Sequence, residues 1–355
     1  MIGIRALAKH LNLSIATVSR AINDHPEVNA KTRQRVQQAA RELGYVPNQS
    51  GRSLRRGETG NVAFMMETGH EITGTGDTFI LGVFNGIQTA LADHGLDLVA
   101  MLCPRHDDAE SFLKRMVARG FADGIILSSI KRVDPRVSFL SENKVPFVTL
   151  GRTNADMGQS WLDSDFAGMA RQSIDRFVAR GHRRIALTVP GDTTNLGDIF
   201  LDAAGEAMQA HGLELSPDLI FRIEPNEEDG YRLAKNILSL ADRPTAVFLI
   251  NPSLTLGLYR GLTEAGIRPG RDIAVIGRDS PQSAFLTPSL TCFREDLDGL
   301  GVALGEALLA SMPKYARHAP NGAVSKVWPL ELVEGESDDL VLTPGTSLAT
   351  PTGSP

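Results

Sequence analysis

The chain has 355 residues, 42% apolar and 22% charged, with a net charge of -6, a composition that excludes chain-wide disorder and leaves room for two or three globular units. No run approaches the roughly 18 consecutive apolar residues of a membrane helix, and the first residues are too polar for a signal peptide, so a cytoplasmic protein without a membrane partner is expected. Cys103 and Cys292 stand far apart without CxxC spacing, which excludes a disulfide framework and a cysteine-based metal site; neither a metal nor a cofactor is expected.

Charge is unevenly placed. Residues 1–57 carry ten Lys/Arg and three Asp/Glu, a surplus of seven positive charges, whereas the other 298 carry 26 and 39, an excess of 13 negative charges. A basic arm on an acidic body points to a polyanion-binding unit fused to one that does not bind polyanions.

Three short helices are predicted in the basic arm. Ile4 to His10 carries Ile4, Leu7, Ala8 and Leu11 at helical spacing and stops at Asn12, a residue type that tolerates the left-handed conformation of a tight interhelical turn. Ser14 then caps a second helix, SIATVSRAIN, in which Ile15, Val18 and Ile22 recur at spacings of three and four. A third begins at the Asn29 cap and ends at Gly44. The first two form a helix-turn-helix. At least one of Ile15, Val18 and Ile22 faces the small core, leaving Ala16, Thr17, Ser19, Arg20 and Asn23 for solvent or DNA. Hydroxyls and amides of this kind bind phosphate oxygens, an arginine can read guanine O6 and N7, and Ile15 and Ala16 can touch a thymine methyl.

Residues 7–64, LAKHLNLSIATVSRAINDHPEVNAKTRQRVQQAARELGYVPNQSGRSLRRGETGNVAF, resemble the lactose-repressor (LacI) family of bacterial transcription regulators, and the likeness continues more loosely to about residue 334. Its carrying motifs are TVSRAIN, the V-x-x-x-T-R step at Val28 to Arg33, and GYxPN at Gly44 to Asn48. The resemblance implies that Ile15, Ala16 and Arg20 face operator bases, while Ser14, Thr17, Ser19, Asn23 and the region of Thr32 hold the DNA backbone. It also implies that residues 47–60 contain a hinge helix that forms when two copies pair over the minor groove. There Leu54 wedges into a base step and Arg52, Arg55 and Arg56 meet phosphates. Gly51 stands where relatives usually have Ala, which raises the cost of ordering the hinge by roughly 0.5–1 kcal/mol.

From residue 61 apolar runs alternate with amphipathic segments. The strand candidates are NVAFMM, LDLVAML, DGIILSS, PFVTLG, RIALTV, DLIFRI, TAVFLI and DIAVIG, with helices such as Phe79 to His94, Phe166 to Arg180 and Ser253 to Ala265 between them. Glycines close several helices, at Gly95, Gly120, Gly181, Gly212 and Gly266. The alternation predicts an α/β class with parallel sheets covered on both faces. There are too many strands for one comfortable sheet. The resemblance implies a two-lobed periplasmic-binding-protein-like (type I) body of two doubly wound sheets, with crossovers near Trp161 to Asp165, Leu290 to Phe293 and Asn321. The expected organisation is therefore a DNA-binding domain at 1–46, a hinge and linker at 47–60, and an effector-binding and dimerisation body at 61–334. Its lobes are expected at about 61–162 plus 292–322, and 163–291 plus 323–334. Residues 335–355, rich in Ser, Thr, Pro and Gly, read as a disordered tail without coiled-coil heptads, which favours a homodimer.

Ligands of open α/β sheets bind beyond the carboxyl ends of strands. Arg152, Asn251 and Asp279 stand at such ends, and Phe79 opens the first body helix as an apolar wall. A guanidinium, an amide and a carboxylate suit vicinal hydroxyls. Phe200 stands where sugar- and purine-binding relatives carry Arg, Pro225 where an aromatic platform is expected, and Pro252 where Asp usually follows Asn. Arg278, conversely, adds a charge beside Asp279. These departures lead to the expectation of an anionic effector, a sugar acid or phosphosugar, held by Arg152 and Arg278, against the plainer reading that Arg278 pairs with Asp279.

The expected function is a transcriptional regulator, most simply a repressor, whose affinity for a pseudo-palindromic operator is controlled by a small molecule such as a sugar, sugar acid or phosphosugar. The rival is a sensor of the binding-protein type with little or no DNA binding. An enzyme is not expected: neither G-x-G-x-x-G nor G-x-x-x-x-G-K-[ST] occurs, and His182 in RGHRRIA reads as structural.

Overall fold

The computed structural model describes residues 2–22, 24–45, 58–68, 76–104, 106–154, 157–316 and 323–343. The chain divides into two compact units, Met1–Thr59 and Gly60–Pro355. Among the described residues no helix is long and apolar enough to cross a membrane.

In the first unit α1 (Ile4–Leu11), α2 (Ile15–Ile22) and α3 (Ala30–Glu42) pack around Leu7, Leu11, Val18, Ala21, Val28 and Val36. Asn12 ends α1 in the left-handed region, at φ 51° and ψ 44°, as its short polar side chain permits. The Asn29 side chain accepts from Thr32 N–H at 2.8 Å to start α3, and Gly44 closes it at φ 63°. Of the candidate core positions of α2 only Val18 is fully buried, joined by Ala21; Ile15 is 46% exposed.

The second unit is built from two six-stranded sheets. In chain order its elements are β1 (Asn61–Thr68), α4 (Gly76–Ala92), β2 (Asp97–Pro104), α5 (Ala109–Ala118), β3 (Gly124–Leu127), α6 (Pro135–Glu142), β4 (Phe147–Leu150) and β5 (Ser160–Ser164). Then follow α7 (Phe166–Ala179), β6 (Ile185–Pro190), α8 (Asn195–Ala210), β7 (Ile220–Ile223), α9 (Glu227–Ser239), β8 (Ala246–Leu249), α10 (Leu254–Glu264), β9 (Ala274–Arg278) and β10 (Thr291–Arg294). Last come α11 (Leu297–Ser311), β11 (Ser325–Trp328) and β12 (Glu331–Val333). The strand orders are β11-β5-β4-β3-β1-β2 and β12-β10-β9-β8-β6-β7. Every pairing is parallel except β10 with β12. Each sheet is buried on both faces, which is why its central strands read as uninterrupted apolar runs.

All eight strand candidates are strands. Of the other four, β10 is a four-residue strand, TCFR, too short and mixed to read as an apolar run, and β5, β11 and β12 escape that criterion for two reasons. SWLDS in β5 buries Ser160, Asp163 and Ser164, and β11 and β12 are sheet-edge strands with exposed positions.

The chain crosses between lobes after β5, after β10, and between β11 and β12. These crossovers are hydrogen-bonded to one another: Asp165 N–H donates to Trp328 O at 2.9 Å, Trp328 Nε1 to Asp296 O at 3.2 Å, and Ser164 Oγ to Glu295 Oε1 at 2.6 Å. The third crossing falls at residues 329–330 rather than near Asn321, which lies outside the described residues. Residues 323–328 therefore belong to the first lobe, and 292–294 to the second, against the expected boundaries.

The expected disorder beyond residue 334 is also corrected for residues 335–343. Ser337 and Asp338 are fully buried. Ser337 Oγ donates to Val275 O at 2.6 Å, and Asp338 accepts from Thr291 Oγ1 at 2.5 Å while forming ion pairs with Arg176 and Arg180. A polar composition is compatible with order when every buried polar atom finds a partner. Residues 344–355 lie outside the described residues.

Candidate functional site

On the helix-turn-helix, Ser14 Oγ accepts from Thr17 N–H at 3.0 Å and lies 2.9 Å from Thr17 Oγ1. This fixes the start of α2. Anchoring by Val18 and Ala21 turns the opposite face outward: Ile15, Ala16 and Arg20 are exposed, and Thr17, Ser19 and Thr32 half-buried. Arg20 Nη1 is 3.7 Å from Glu27 in a solvent-facing pair, too loose to hold the guanidinium against a better acceptor. Arg33 and Arg35 do structural work, donating to the carbonyls of His25 and Val28 and of Leu11 respectively. Asn23, Arg52, Leu54, Arg55 and the rest of the hinge at 47–57 lie outside the described residues.

In the body, the carboxyl ends of β1, β3, β4, β5, β6, β7, β8, β9 and β10 surround a cleft of about 810 Å³ between the lobes. All five effector-site candidates, Phe79, Arg152, Asn251, Arg278 and Asp279, line it. Their partners differ from expectation. Arg278 does not pair with Asp279; its Nη2 donates to Glu295 Oε2 at 2.6 Å. Its guanidinium lies over two rings, 5.3 Å from the centroid of Phe79 in the first lobe and 5.5 Å from that of Phe166 in the second. Asp279 instead accepts from Arg294 Nε at 2.7 Å. Arg152 Nε sits 3.2 Å from Asp163 Oδ2, with the guanidinium over Trp161. Asn251 Oδ1 accepts from Ser253 N–H at 3.0 Å, so the amide also shapes the turn into α10.

Phe200 is fully buried and stacks on Phe248 at 4.8 Å. It is a core residue, and Asn195, Leu196 and Ile199 are what α8 presents to the cleft. Pro225 and Pro252 do line the cleft. Counted over its lining, the cleft holds six carboxylates against three guanidiniums.

The sequence reading missed Asp163, Glu295 and Asn195. Asp163 is the penultimate residue of β5 and is 3% exposed. Burial, with help from neighbouring Glu295 and Asp165 and against the attraction of Arg152, pushes its carboxyl up to about 7. Asn195, at the start of α8, ties the lobes: its N–H donates to Ile130 O at 2.8 Å and its Nδ2 to Arg152 O at 2.7 Å. Both acids stand at strand ends, the criterion that selected Arg152 and Asp279, but their strands were read as crossovers. The D-x-D of Asp163 and Asp165 beside a predicted crossover was the available signal.

Comparison with known proteins agrees with this architecture. The family described as "Bacterial regulatory proteins, lacI family" matches residues 4–48, and "Periplasmic binding protein-like domain" matches residues 174–337. The HTH-type transcriptional regulator CelR of Thermobifida fusca is 30% identical over 296 residues, 82% of this chain and 86% of CelR. AglR of Rhizobium meliloti (strain 1021), another HTH-type transcriptional regulator, is 28% identical over 340 residues, 94% of this chain and 93% of AglR. Among solved structures, the transcriptional regulator CelR–cellobiose complex has a TM-score of 0.68 at 27% identity, covering 95% of this chain and 100% of that one. The lac repressor dimer bound to operator and the anti-inducer ONPF has a TM-score of 0.81 at 21% identity, covering 96% and 99%, and shows the shared fold. The molecule is thus a helix-turn-helix unit joined to a two-lobed binding body. The chain belongs to the LacI family: it is a DNA-binding transcriptional regulator.

Proposed function

We propose that the chain acts as a cytoplasmic homodimeric repressor whose operator affinity is set by an uncharged saccharide bound between the lobes. Ser14, Ile15, Ala16, Thr17, Ser19, Arg20, Asn23 and Thr32 contact the operator, with Arg52, Leu54 and Arg55 of the hinge. Phe79, Arg152, Asn251, Arg278 and Asp279 contact the effector. Dimerisation follows the pattern named for the lac repressor relative.

One observation carries the choice of effector. Each guanidinium that was expected to hold an anion already has a carboxylate partner: Asp163 for Arg152, Glu295 for Arg278. With carboxylates outnumbering guanidiniums in the lining, an anionic ligand meets net repulsion. Alternating donors and acceptors on short spacings suit hydroxyls instead. This replaces the expectation of a sugar acid or phosphosugar. The CelR–cellobiose complex supports the same class.

Binding changes lobe closure, and a homodimer translates that change into hinge spacing. Effector and operator affinities are then coupled reciprocally, by about 1–3 kcal/mol. Calorimetry of the protein against neutral disaccharides, sugar acids and sugar phosphates tests the reading. Heat with neutral saccharides alone is expected, and binding confined to the anionic compounds refutes it.

A further inference from the structure

Four carboxylates stand at the first two crossovers, and three of them hold a hydrogen-bond donor, Asp296 Oδ1 accepting from Gly299 N–H at 2.9 Å. Asp165 Oδ1 accepts from Gly168 N–H at 2.8 Å. Glu295 accepts from the Ser164 hydroxyl on Oε1 and from Arg278 on Oε2, both at 2.6 Å. Asp163 differs. It is as deeply buried as Glu295 and lines the cleft, yet among the described residues its Oδ2 has no hydrogen-bond donor. The Arg152 Nε at 3.2 Å supplies charge without hydrogen-bonding geometry. A buried acceptor without a donor is costly, so native structures keep few of them and each one calls for an explanation.

We propose that Asp163 is a specificity-determining residue of the effector cleft: its Oδ2 accepts a hydroxyl of the saccharide, and the Arg152 guanidinium donates to the adjacent sugar oxygen, so that one vicinal diol bridges the pair. This rests on the saccharide reading above and adds to it the group that is recognised. A site built around an unpaired acceptor selects strongly for the hydroxyl, because a deoxy analogue leaves the carboxylate oxygen buried and unmet.

The same geometry links binding to a proton. The charged groups facing Asp163 are Arg152 from the segment after β4, Glu295 from the second crossover with Arg278 on its far oxygen, and Asp165 on its own segment. On β11 its register partner, Val327, carries no charge, and Lys326 is one position away. Burial pushes the Asp163 carboxyl up to about 7. A hydroxyl donating to Oδ2 favours the ionised form, so binding expels a proton below that pH. Saccharide affinity is expected to rise about tenfold from pH 6 to pH 8, the factor set by deprotonating a group with its midpoint one unit above the lower pH.

The test is calorimetry of the full chain at pH 6 and pH 8 with glucose, maltose, cellobiose, sucrose and raffinose. For whichever of these binds, the expected result is the tenfold rise, proton release at pH 6, and at least a tenfold loss at pH 8 in Asp163→Asn with the pH dependence gone. If the variant does not fold, monodeoxy analogues of the bound sugar against the wild-type protein serve instead: one of them must lose tenfold and lose the pH dependence. Unchanged affinity and slope in Asp163→Asn, or equal binding of every deoxy analogue, overturns the assignment while leaving the saccharide reading intact. Absence of binding by all five sugars, with binding of glucose 6-phosphate, overturns the saccharide reading and this assignment with it.

Discussion

Replacing Arg278 by Met keeps the length of the side chain and removes its charge. Glu295, with a side chain 3% exposed, then loses the partner that donates at 2.6 Å, and only Ser164 Oγ remains bonded to it. Breaking a buried pair by removing one partner costs about 3–5 kcal/mol, and the surviving hydroxyl places this case near 3. Loss of the stacking on Phe79 and Phe166 adds about 1 kcal/mol. Glu295→Gln is milder, about 1–2 kcal/mol, because the amide oxygen still accepts a hydrogen bond and the guanidinium keeps both ring faces. The double variant Arg278→Met/Glu295→Gln leaves no charge unpaired. It is expected to fall short of the summed single effects by at least about 2 kcal/mol. Both tryptophans, Trp161 and Trp328, lie in the second unit, so urea unfolding followed by tryptophan fluorescence reports on the body alone. With a slope near 3 kcal/mol per molar, Arg278→Met lowers the midpoint by about 1 M. A loss below 1 kcal/mol, or strict additivity in the double variant, refutes the account of this pair.

Truncation after Glu334 removes Ser337, Asp338 and Leu340 and strips partners from Thr291, Arg176 and His182; the body is expected to lose roughly 3 kcal/mol or more in the same unfolding assay. His182 is fully buried, with Nε2 donating to Leu340 O at 3.0 Å and Nδ1 accepting from Thr245 Oγ1 at 2.9 Å. Burial lowers its pKa below 6.5, although the Leu340 carbonyl and Asp338 pull the other way. The unfolded state therefore takes up a proton first as pH falls below 6.5, and stability drops by up to about 1.4 kcal/mol per pH unit. His182→Gln should be less steep between pH 6.5 and 5 in urea titrations at several pH values. Arg20→Ala is expected to cost about 1–3 kcal/mol on an operator selected in vitro while weakening binding to random DNA only slightly; equal losses on both, measured by fluorescence anisotropy, exclude a base contact.

Much of the fold was legible because the signals are local. Asn12, Ser14, Asn29 and Gly44 punctuate the first unit by capping chemistry that depends on a residue and its near neighbours, and each takes its expected conformation or bond. Six of the eight strands read from the sequence, β1, β3, β4, β6, β8 and β9, lie inside their sheets, where burial on both faces demands an apolar run, and the edge strands β2 and β7 were legible from their apolar composition. The edge strands β11 and β12 escape that criterion, and β5 escapes it because it buries Ser160, Asp163 and Ser164. Residues 335–343 were misread because their order depends on Arg176, Thr291 and His182, all distant in sequence. At the cleft, position at a strand end identified Arg152, Asn251 and Asp279 as lining residues, the start of the first body helix pointed to Phe79, and the added charge beside Asp279 pointed to Arg278. Which charge meets which could not be inferred that way. Arg278 and Asp279 are neighbours in the chain, but residues in succession on a strand point to opposite sides, and each finds its partner on or just beyond β10.

The account turns on communication between cleft and operator, and anisotropy of a labelled, in vitro selected operator tests this directly. The full chain is titrated onto the DNA with and without a saturating neutral saccharide that calorimetry has shown to bind. A shift of operator affinity between about fivefold and 150-fold is predicted. Tight specific binding that does not respond to a saccharide demonstrably held by the protein contradicts the account.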